Sequence, residues 1–346
     1  MGRVLVLNDT SITGHPGCYS VMLALQNVLM ASKLTNITFI GLDRINNKIT
    51  KKVYNGDYKY LVLNAEGSIH RTSTNPRAQR ILNTFNDYLN YIEKSMIVNS
   101  SLYEICDEYQ QVLMKSDIIY TRDKSILFGN DLDKKLQYVS DLSFLTLQKQ
   151  RQLQGVSYFH RKRRSSTGAL ITDSVLPEAT HQLKVISQRY SLRYITLENI
   201  KTNLPSRLIN KLFHIKYNLS DPSTELNKIT RYQNAFNKIL DRGNYNLFLK
   251  EILRSQIVVT GRYHVVTHCI ALGVPFLAIE SNTHKIGNLL KAALGDRNRL
   301  VSVCKLNPDA LKKAAKFNSI EKMHIEKFMT NHNFELFKRQ VRDWVY

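Results

Sequence analysis

Arg262 and His264 are the residues of this sequence best suited to chemistry, because they lie two positions apart where an apolar run ends. Gly261 precedes them and allows a tight turn, and a helical apolar pattern follows. An arginine at such a junction can bind a carboxylate or a phosphate with two parallel hydrogen bonds. A histidine near the start of the helix can donate a proton to the same ligand. The stretch therefore predicts an anion site with an acid beside it.

A metal site is the alternative interpretation of this stretch, because His264 and His268 are four residues apart and share one helix face. A zincin motif needs a glutamate directly after the first histidine as general base, and that position is Val265. The sequence offers no evident third ligand. We therefore expect no metal, and we expect His268 and Cys269 to pack in the core.

Polar residues also follow the other apolar runs, where strands are predicted to end. Glycines at such a point let a ligand approach the backbone, and a helix N-terminus favours anions. A carboxylate there can orient or deprotonate a hydroxyl. Ordinary loops, surface turns and ion pairs between strand ends are the structural alternatives. The candidates are Asn8, Gly14, His15, Gly17, Asn64, Glu66, Gly67, His70, Arg122, Asp141 and Ser174.

The apolar runs themselves are the elements that must position these residues. They alternate with stretches in which apolar residues recur at three- and four-residue spacing, which indicates helices. Strands that are apolar throughout and alternate with helices indicate a parallel sheet covered on both faces. Ligands of such sheets bind beyond the carboxyl ends of the strands. The runs are "RVLVLN", "NITFIGLD", "YLVLNAEG", "SMIVNSS", "DIIYTRD" and "LQYVSDLS", then "GALITDS", "RYITLEN", "QIVVTGR", "PFLAIES" and "RLVSVCK".

The alternation stops around residues 150–167, where "KQRQLQGVSYFHRKRRSSTG" is polar and basic. We interpret this segment as a charged linker, with a nuclear-localisation or nucleic-acid patch as the alternative. The sequence thus predicts an α/β protein with two similar halves and a cleft between them. The predicted boundaries are residues 1–150 for the first domain, 151–166 for the basic linker, 167–318 for the second domain and 319–346 for C-terminal helices that pack back on the first domain.

The 346 residues are 43% apolar and carry a formal net charge of +21, so the chain can form packed cores and is strongly basic. Such a charge favours polyanionic partners, which include nucleic acid, an anionic membrane surface and phosphorylated small molecules. Much of the charge can instead be solvated surface. The sequence has no RNP, KH or helix-turn-helix signature, and we expect no nucleic acid as a partner. Peripheral contact with an anionic membrane stays open.

Cysteine usage and apolar run length bear on location. The four cysteines lie far apart with no CxxC pair, which is typical of a reducing compartment. The segment "MGRVLVLNDT" has only four consecutive apolar residues, too few for a signal-peptide core. The longest apolar run, "CIALGVPFLAI", is far shorter than the ~20 residues of a membrane span. We therefore expect a cytoplasmic protein.

The stretch "GRYHVVTHCIALGVPFLAIESNTHKIGNLLKAALG" resembles the C-terminal signature of the polysaccharide pyruvyltransferase family. In that family a strand leads to an R-x-H element, a helix, an "lGvPf" strand and a lysine before the next helix. "LVLNAEGSIH" is similar to the family's "NGEG-t-H" segment, with Ala65 where a glycine is usual. "GHPGC", "YTRDKS" and "YVSDLSF" lie in the expected order, so the resemblance extends over both halves.

This resemblance implies a GT-B-like fold of two Rossmann-like domains that face a cleft. It implies a transferase that moves a pyruvyl group from phosphoenolpyruvate to sugar hydroxyls as a ketal, in the biosynthesis of exopolysaccharides and other cell-surface glycans. No cofactor or metal would be needed. The first domain would bind the acceptor, a glycan or a lipid-linked sugar, and the second would bind the phosphorylated donor.

The resemblance also implies roles for single residues. Arg262 would bind the carboxylate or phosphate of the donor, and His264 would protonate its methylene carbon. Further donor contacts would be Lys285, Arg122 and Ser174. The acceptor side or cleft would contain Asn8, Gly14, His15, Gly17, Asn64, Glu66, Gly67 and Asp141. Two alternatives stay open: a GT-B glycosyltransferase that uses a nucleotide-activated sugar, and a non-catalytic basic binding protein for nucleic acid or anionic membrane.

Overall fold

The structure is a computed structural model, and it describes residues 2–11, 15–124, 127–153, 168–197, 245–281, 283–330 and 333–345. Two parallel β-sheets, one from each half of the chain, are each flanked by helices. The α/β class with two Rossmann-like domains is therefore confirmed. Most of the predicted linker lies outside the described residues, and so does Gly14.

The first sheet has six parallel strands, and each coincides with one of the first six apolar runs. The strands are β1 (Val4–Leu7), β2 (Ile37–Ile40), β3 (Tyr60–Asn64), β4 (Lys94–Ser100), β5 (Ile118–Thr121) and β6 (Leu136–Tyr138), in the order β2-β1-β3-β4-β5-β6. The helices of this half are α1 (Pro16–Ala31), α2 (Asn47–Tyr54), α3 (Pro76–Leu89), α4 (Asp107–Met114) and α5 (Ser143–Leu153), with short 3-10 turns at Leu42–Arg44 and Asp131–Lys135. β1 and β3 are buried along their whole length, as expected of strands covered on both faces.

The second sheet has five parallel strands, which coincide with the remaining apolar runs. They are β7 (Ala169–Ser174), β8 (Arg193–Ile195), β9 (Ile257–Gly261), β10 (Phe276–Ile279) and β11 (Leu300–Val301), in the order β11-β10-β9-β7-β8. The helices are α6 (Pro177–Arg189), the helical residues 245–254, α7 (Tyr263–Leu272), α8 (Lys285–Leu294), α9 (Pro308–Ala314), α10 (Ser319–Thr330) and α11 (Phe334–Val345), with a 3-10 turn at Val303–Lys305. Within the described residues no helix has both the length and the apolarity needed to cross a bilayer.

The two halves share one apolar core. Side chains from the inner faces of both sheets belong to a single buried cluster, whereas the outer face of each sheet has its own smaller cluster. Helix α5 packs between α1 and α7. Two buried hydrogen bonds reinforce this packing: Ser143 Oγ donates to Thr267 Oγ1 at 3.2 Å, and Thr146 Oγ1 donates to the carbonyl of Ser20 at 2.8 Å. The elements that carry the predicted site are thus held in a fixed relation.

The final helix, α11, lies against the first domain. The Tyr60 hydroxyl donates to the carbonyl of Val345 at 3.1 Å, and Lys94 Nζ donates to that of Trp344 at 2.8 Å. The ring of Tyr120 packs edge-on against Phe337, with centroids 4.7 Å apart. Helix α10 packs on α8 of the second domain and also contacts α5 of the first half, where the rings of Phe328 and Phe144 lie edge-on with centroids 5.3 Å apart. Both of the last two helices therefore contact the first half.

Candidate active site

The candidate site lies where the strand order of each sheet reverses. From β1 the chain goes to β2 on one side and then to β3 on the other, and from β7 it goes to β8 on one side and then to β9 on the other. The crevice beyond such a reversal is the usual ligand site of doubly wound sheets. Glu66 follows β3 at the first reversal, and Arg262 follows β9 at the second. His264 lies 3.7 Å from Glu66, so the two reversals form one site.

Arg262 directly precedes α7, and its guanidinium is held by Asp173 at the end of β7. Its Nε donates to Asp173 Oδ2 at 3.0 Å, and its Nη2 donates to the same oxygen. The Asp173 side chain is only 5% exposed and that of Arg262 is 25% exposed. Asp173 thus fixes the orientation of the guanidinium and leaves part of it open to a ligand.

Gly261 is required for the close approach of β9 to β7. A Cβ atom at this position would lie 2.1 Å from Ser174 Oγ. The register of the two strands is irregular between Ile171 and Ser174, directly beside this contact. Ser174 is buried, and its hydroxyl accepts a hydrogen bond from the Leu176 amide at 3.2 Å. The structure therefore gives Ser174 a local structural contact, and its role as a donor contact stays a prediction.

His264 is the second residue of α7 and is 9% exposed. Its Nε2 lies 3.7 Å from Glu66 Oε1 and 3.7 Å from Asp141 Oδ2, distances longer than hydrogen bonds. Both Nε2 and Glu66 Oε1 are buried without a hydrogen-bond partner among the described residues. The other carboxylate oxygen of Glu66 accepts from Thr10 Oγ1 and, at 3.4 Å, from Asn64 Nδ2. The imidazole thus faces two fixed carboxylates with one nitrogen unengaged.

Asp141 and Arg122 form a buried ion pair next to His264. Arg122 Nη1 donates to Asp141 Oδ2 at 2.5 Å, and Arg122 Nε donates to Ser101 Oγ at 2.6 Å. The guanidinium also lies over the Tyr263 ring, 4.3 Å from its centroid. Burial raises the pKa of Asp141, but contacts with His264 and Arg122 outweigh it and hold that pKa well below the usual range. Asp141 is therefore a carboxylate at neutral pH.

This pairing gives Arg122 a structural partner, and its predicted contact with the donor stays a prediction. Its side chain is 3% exposed and is engaged by Asp141, so it positions a carboxylate rather than facing open space. Gly67 makes the arrangement possible, because its φ is +67° and a Cβ there would lie 2.3 Å from Arg122 Nη2. The structure shows an ion pair between strand ends, which was the alternative interpretation of these residues.

Asn8 and Asn64 join the ends of β1 and β3. Asn8 Nδ2 donates to the carbonyl of Asn64 at 2.7 Å, and Asn64 Nδ2 donates to that of Asn8 at 3.2 Å. The two residues are 2% and 0% exposed. Carbonyls at buried strand ends need donors, and these two amides supply them. A place of either residue in the cleft stays a prediction.

His15 and Gly17 bring α1 against α7. His15 is the N-cap of α1, and its Nδ1 accepts from the Gly17 amide at 3.2 Å. Its ring centroid lies 5.7 Å from that of His264. A Cβ at Gly17 would lie 2.2 Å from His264 Cβ, so only glycine permits this approach. Burial lowers the pKa of His15 well below its ordinary value, and His264 and Arg262 act in the same direction.

His268 packs in the core, as expected from the sequence. It is 0% exposed, and its ring lies edge-on to those of Phe248 and Tyr245. Its Nδ1 is in hydrogen-bond contact with the carbonyl of His264, and burial lowers its pKa to about 3. The imidazole is therefore turned inward, which contradicts the alternative in which His264 and His268 hold one metal ion.

Lys285 is the first residue of α8 and connects the site to a cleft of about 700 Å³ between the two domains. It is half-buried, and no ion pair of this lysine occurs in the described part of the chain. Burial lowers the pKa of Lys285 to about 8, and the positive charge of Arg122 acts in the same direction. The cleft is also lined by Gly67, His70, Tyr103, Phe128, His284 and Arg297.

The sequence reasoning missed Asp173, which holds the Arg262 guanidinium, and Cys18, which lies beside the site. Asp173 precedes the candidate Ser174, but the irregular register of β7 decides which of the two faces Arg262. Cys18 lies three residues after His15, and that spacing on one helix face was a usable signal. One ligand atom from each of His15, Cys18 and His264 lies within 4.8 Å of the others.

Residues 27–283 match the family model described as polysaccharide pyruvyl transferase. No curated protein matches. Among solved structures, the chain is similar to a functionally uncharacterised protein from Klebsiella pneumoniae subsp. pneumoniae, at 11% identity and a TM-score of 0.48, with 87% of this chain and 93% of that chain covered. It is also similar to a Listeria monocytogenes protein provisionally named UDP-N-acetylglucosamine 2-epimerase, at 12% identity and a TM-score of 0.45, with 95% and 90% covered.

The family match extends from within α1 to the loop after β10, and so contains Glu66, Asp141, Arg262 and His264. It includes most of both sheets and well over half of the chain. The site built from the ends of β3, β6 and β9 therefore falls inside the matched region, and the chain belongs to the polysaccharide pyruvyl transferase family.

Proposed function

We propose that the protein transfers a pyruvyl group from phosphoenolpyruvate to two hydroxyls of a sugar and so forms a ketal on a cell-surface glycan or its lipid-linked precursor. Family membership supports the reaction class. The observation that carries the proposal is the position of His264, whose unengaged Nε2 faces two carboxylates two residues from an arginine with an open edge. An acid beside an anion site is what protonation of an enol phosphate requires.

The donor would bind through its negative charges. Arg262 is 25% exposed and keeps a fixed orientation on Asp173, so it can offer the open side of its guanidinium to a carboxylate or phosphate. Lys285 supplies a second cation on the wall of the cleft. Anchoring both ends of this small polyanion would hold its methylene carbon near His264.

Protonation would begin the reaction. His264 gives its proton to the methylene carbon, which becomes a methyl group, and positive charge develops on the adjacent carbon. Glu66 and Asp141 lie 3.7 Å from His264 Nε2 and are oriented before the reaction, so they stabilise that charge. A sugar hydroxyl attacks the cationic carbon, and Glu66 accepts its proton.

The second half of the reaction releases phosphate. The carbon–oxygen bond to phosphate breaks, and a second hydroxyl of the same sugar attacks and loses its proton. The two hydroxyls lose two protons, while the methyl carbon and the departing phosphate gain one each. The balance needs no redox partner, and we propose that no cofactor or metal takes part.

The acceptor would occupy the cleft between the domains. Its volume of about 700 Å³ lies within the ~300–1,000 Å³ range of small-molecule sites. Tyr103 is 36% exposed on its wall and offers a ring on which a sugar can stack. The net charge of +21 would favour a lipid-linked acceptor at an anionic membrane surface on the cytoplasmic side.

The test is to incubate the full chain with phosphoenolpyruvate and a panel of glycans and lipid-linked sugars. We expect phosphate release that depends on the acceptor, and a product whose mass increases by pyruvate minus water. Release of a nucleoside diphosphate from a nucleotide sugar, without consumption of phosphoenolpyruvate, would show the glycosyltransferase alternative. Tight binding of nucleic acid or anionic vesicles without turnover of any donor would show a binding protein.

A further inference from the structure

We infer that His15, Cys18 and His264 form a site for a divalent ion of the zinc class, and that this ion inhibits the enzyme by occupying His264. The geometry of the three side chains alone supports binding of the ion. The inhibitory half rests on the proposed function, in which His264 is the acid. Cys18 has no role in that reaction, and the two halves can be tested separately.

The three residues come from two rigid elements. His15 and Cys18 lie at the N-cap and in the first turn of α1, and His264 lies in the first turn of α7. Their ligand atoms are within 4.8 Å of one another. A tetrahedral zinc ion, with bonds of ~2.0–2.1 Å to nitrogen and ~2.3 Å to sulfur, places such atoms ~3.3–3.6 Å apart. A closure of about 1 Å, within reach of small side-chain rotations, would complete the site.

The surroundings of the His264 ring are those of a metal ligand. Its Nδ1 edge faces α1, since a Cβ at Gly17 would lie 2.6 Å from Nδ1. Its Nε2 edge faces the carboxylates of Glu66 and Asp141, each at 3.7 Å. Histidines that bind metal commonly present the other ring nitrogen to a carboxylate, which orients the ring and increases its basicity. The carboxylates are an observation independent of the three-residue cluster.

The ligand atoms select the class of metal. One thiolate and two imidazoles suit Zn²⁺, and Co²⁺ as its spectroscopic substitute, whereas Mg²⁺ and Ca²⁺ prefer oxygen ligands. Cys18 is only half-buried, so the residue remains partly accessible to an ion from solvent. Three protein ligands leave a fourth position for water, as in open zinc sites. Binding would release the thiol proton of Cys18 to solvent.

Coordination would remove the acid from the reaction. A histidine that binds a metal through Nδ1 has no lone pair left on that nitrogen and therefore cannot exist as imidazolium. The proton on its other nitrogen could be lost only if the ring became an imidazolate anion, which is a much weaker acid step than loss of a proton from imidazolium. The charge of the ion would also oppose the positive carbon that forms during transfer. The enzyme would thus be blocked at its first step.

The binding test uses the full chain, treated with a chelator and kept in a reductant that contains no thiol. Zn²⁺ is titrated by calorimetry, and Co²⁺ by the visible bands of a tetrahedral site and the near-ultraviolet thiolate band. We expect one equivalent per chain. Cys18→Ser should weaken binding at least tenfold and remove the thiolate band. The matched control is Cys304→Ser, since Cys304 is exposed in the turn after β11 and should not affect either titration.

A second variant distinguishes the loss of a metal ligand from misfolding. His15→Asn keeps a favourable N-cap on α1 and removes an imidazole ligand, so it should retain the wild-type melting temperature and lose affinity for Zn²⁺. The site would be overturned if both Cys18→Ser and His15→Asn bound Zn²⁺ as tightly as the wild type. It would also be overturned if the wild type did not bind Zn²⁺.

Inhibition is then measured as phosphate release at increasing free Zn²⁺. We expect the wild type to be inhibited over the range in which the calorimetric site fills, and Cys18→Ser to keep its basal turnover and resist Zn²⁺. Full turnover with the site occupied would overturn the inhibitory half and leave the site standing. If phosphoenolpyruvate is not a substrate at all, the proposed function fails while the Zn²⁺ and Co²⁺ titrations still decide the site.

Discussion

His264 is the residue on which the proposed chemistry depends most directly. Loss of a general acid typically slows a reaction by ~10²–10⁴-fold, so His264→Ala should lower turnover on that scale. Donor affinity, measured by calorimetry with phosphoenolpyruvate, should change little, because Arg262 and Lys285 remain. His264→Gln should be equally slow, since an amide cannot deliver a proton.

His268→Ala is the matched control for His264→Ala. Its imidazole is fully buried against Phe248 and Tyr245, so truncation should cost roughly 2–5 kcal/mol of unfolding free energy. Turnover per folded molecule should stay near that of the wild type. Near-normal turnover of His264→Ala would assign the acid elsewhere.

Substitutions of Arg262 and Asp173 should separate effects on donor affinity from effects on the stability of the fold. Arg262→Ala removes a charged group that donates hydrogen bonds to the ligand. It should weaken the binding of phosphoenolpyruvate about 10- to 100-fold, more than Arg262→Lys does. It also leaves Asp173, which is 5% exposed, without its partner, and should cost about 1–3 kcal/mol of stability.

The double variant Arg262→Ala with Asp173→Asn tests this separation. Removing the unpaired carboxylate should restore much of the melting temperature, whereas calorimetry should still find weak donor binding. Recovery of donor affinity along with stability would mean that Arg262 acts only through the fold.

Lys285 should make donor affinity depend on pH. Burial and the nearby Arg122 lower its pKa to about 8, so its charge is present below that pH and is lost as the pH rises through it. Between about pH 7 and about pH 9 the affinity for phosphoenolpyruvate should therefore fall. Lys285→Arg stays charged throughout and should give a flat profile. A wild-type profile as flat as that of Lys285→Arg would exclude Lys285 as a donor contact.

Among the secondary-structure elements, the approach of α1 to α7 is the most constrained. Gly17→Ala would force a methyl group to within 2.2 Å of His264 Cβ, so the helices must separate, at a cost of about 1–3 kcal/mol. Turnover should fall with stability because His264 moves relative to Glu66. The control is Gly287→Ala in α8, where the nearest atom belongs to the flexible side chain of Arg297 at 3.2 Å and a helical alanine is favourable. Equal melting temperatures for the two variants would contradict this account.

The strands were largely predictable from the sequence, and the side-chain partners were not. A strand buried on both faces needs only a short apolar run, which is a local property, and each of the eleven runs forms a strand. The carboxyl ends of parallel strands meet at one edge, which is why Glu66, Asp141 and Arg262 were found. Asp173 could not be assigned to Arg262, because 89 residues separate them and an irregular strand register decides the pairing.

The protein as a whole should unfold as one unit, because a single apolar cluster spans both sheets. Trp344 is the only tryptophan of the chain and packs on Tyr60, with ring centroids 5.2 Å apart. Its fluorescence therefore reports the contact of α11 with the first domain. We expect the thermal transition seen by Trp344 to coincide with that seen by far-ultraviolet circular dichroism. An earlier fluorescence transition would show that α11 separates before the sheets unfold.

The position of α11 in the chain also affects how the protein is made. The first sheet is complete once β6 has been synthesised, but the helix that covers Tyr60 and Tyr120 follows about 200 residues later. At roughly 5–20 residues per second, the ribosome needs on the order of 10–40 s to reach it. During that time the nascent first domain exposes an apolar surface that other nascent chains and chaperones can bind. Slow translation or premature termination beyond β6 would therefore yield an aggregation-prone polypeptide, a vulnerability that the finished molecule conceals.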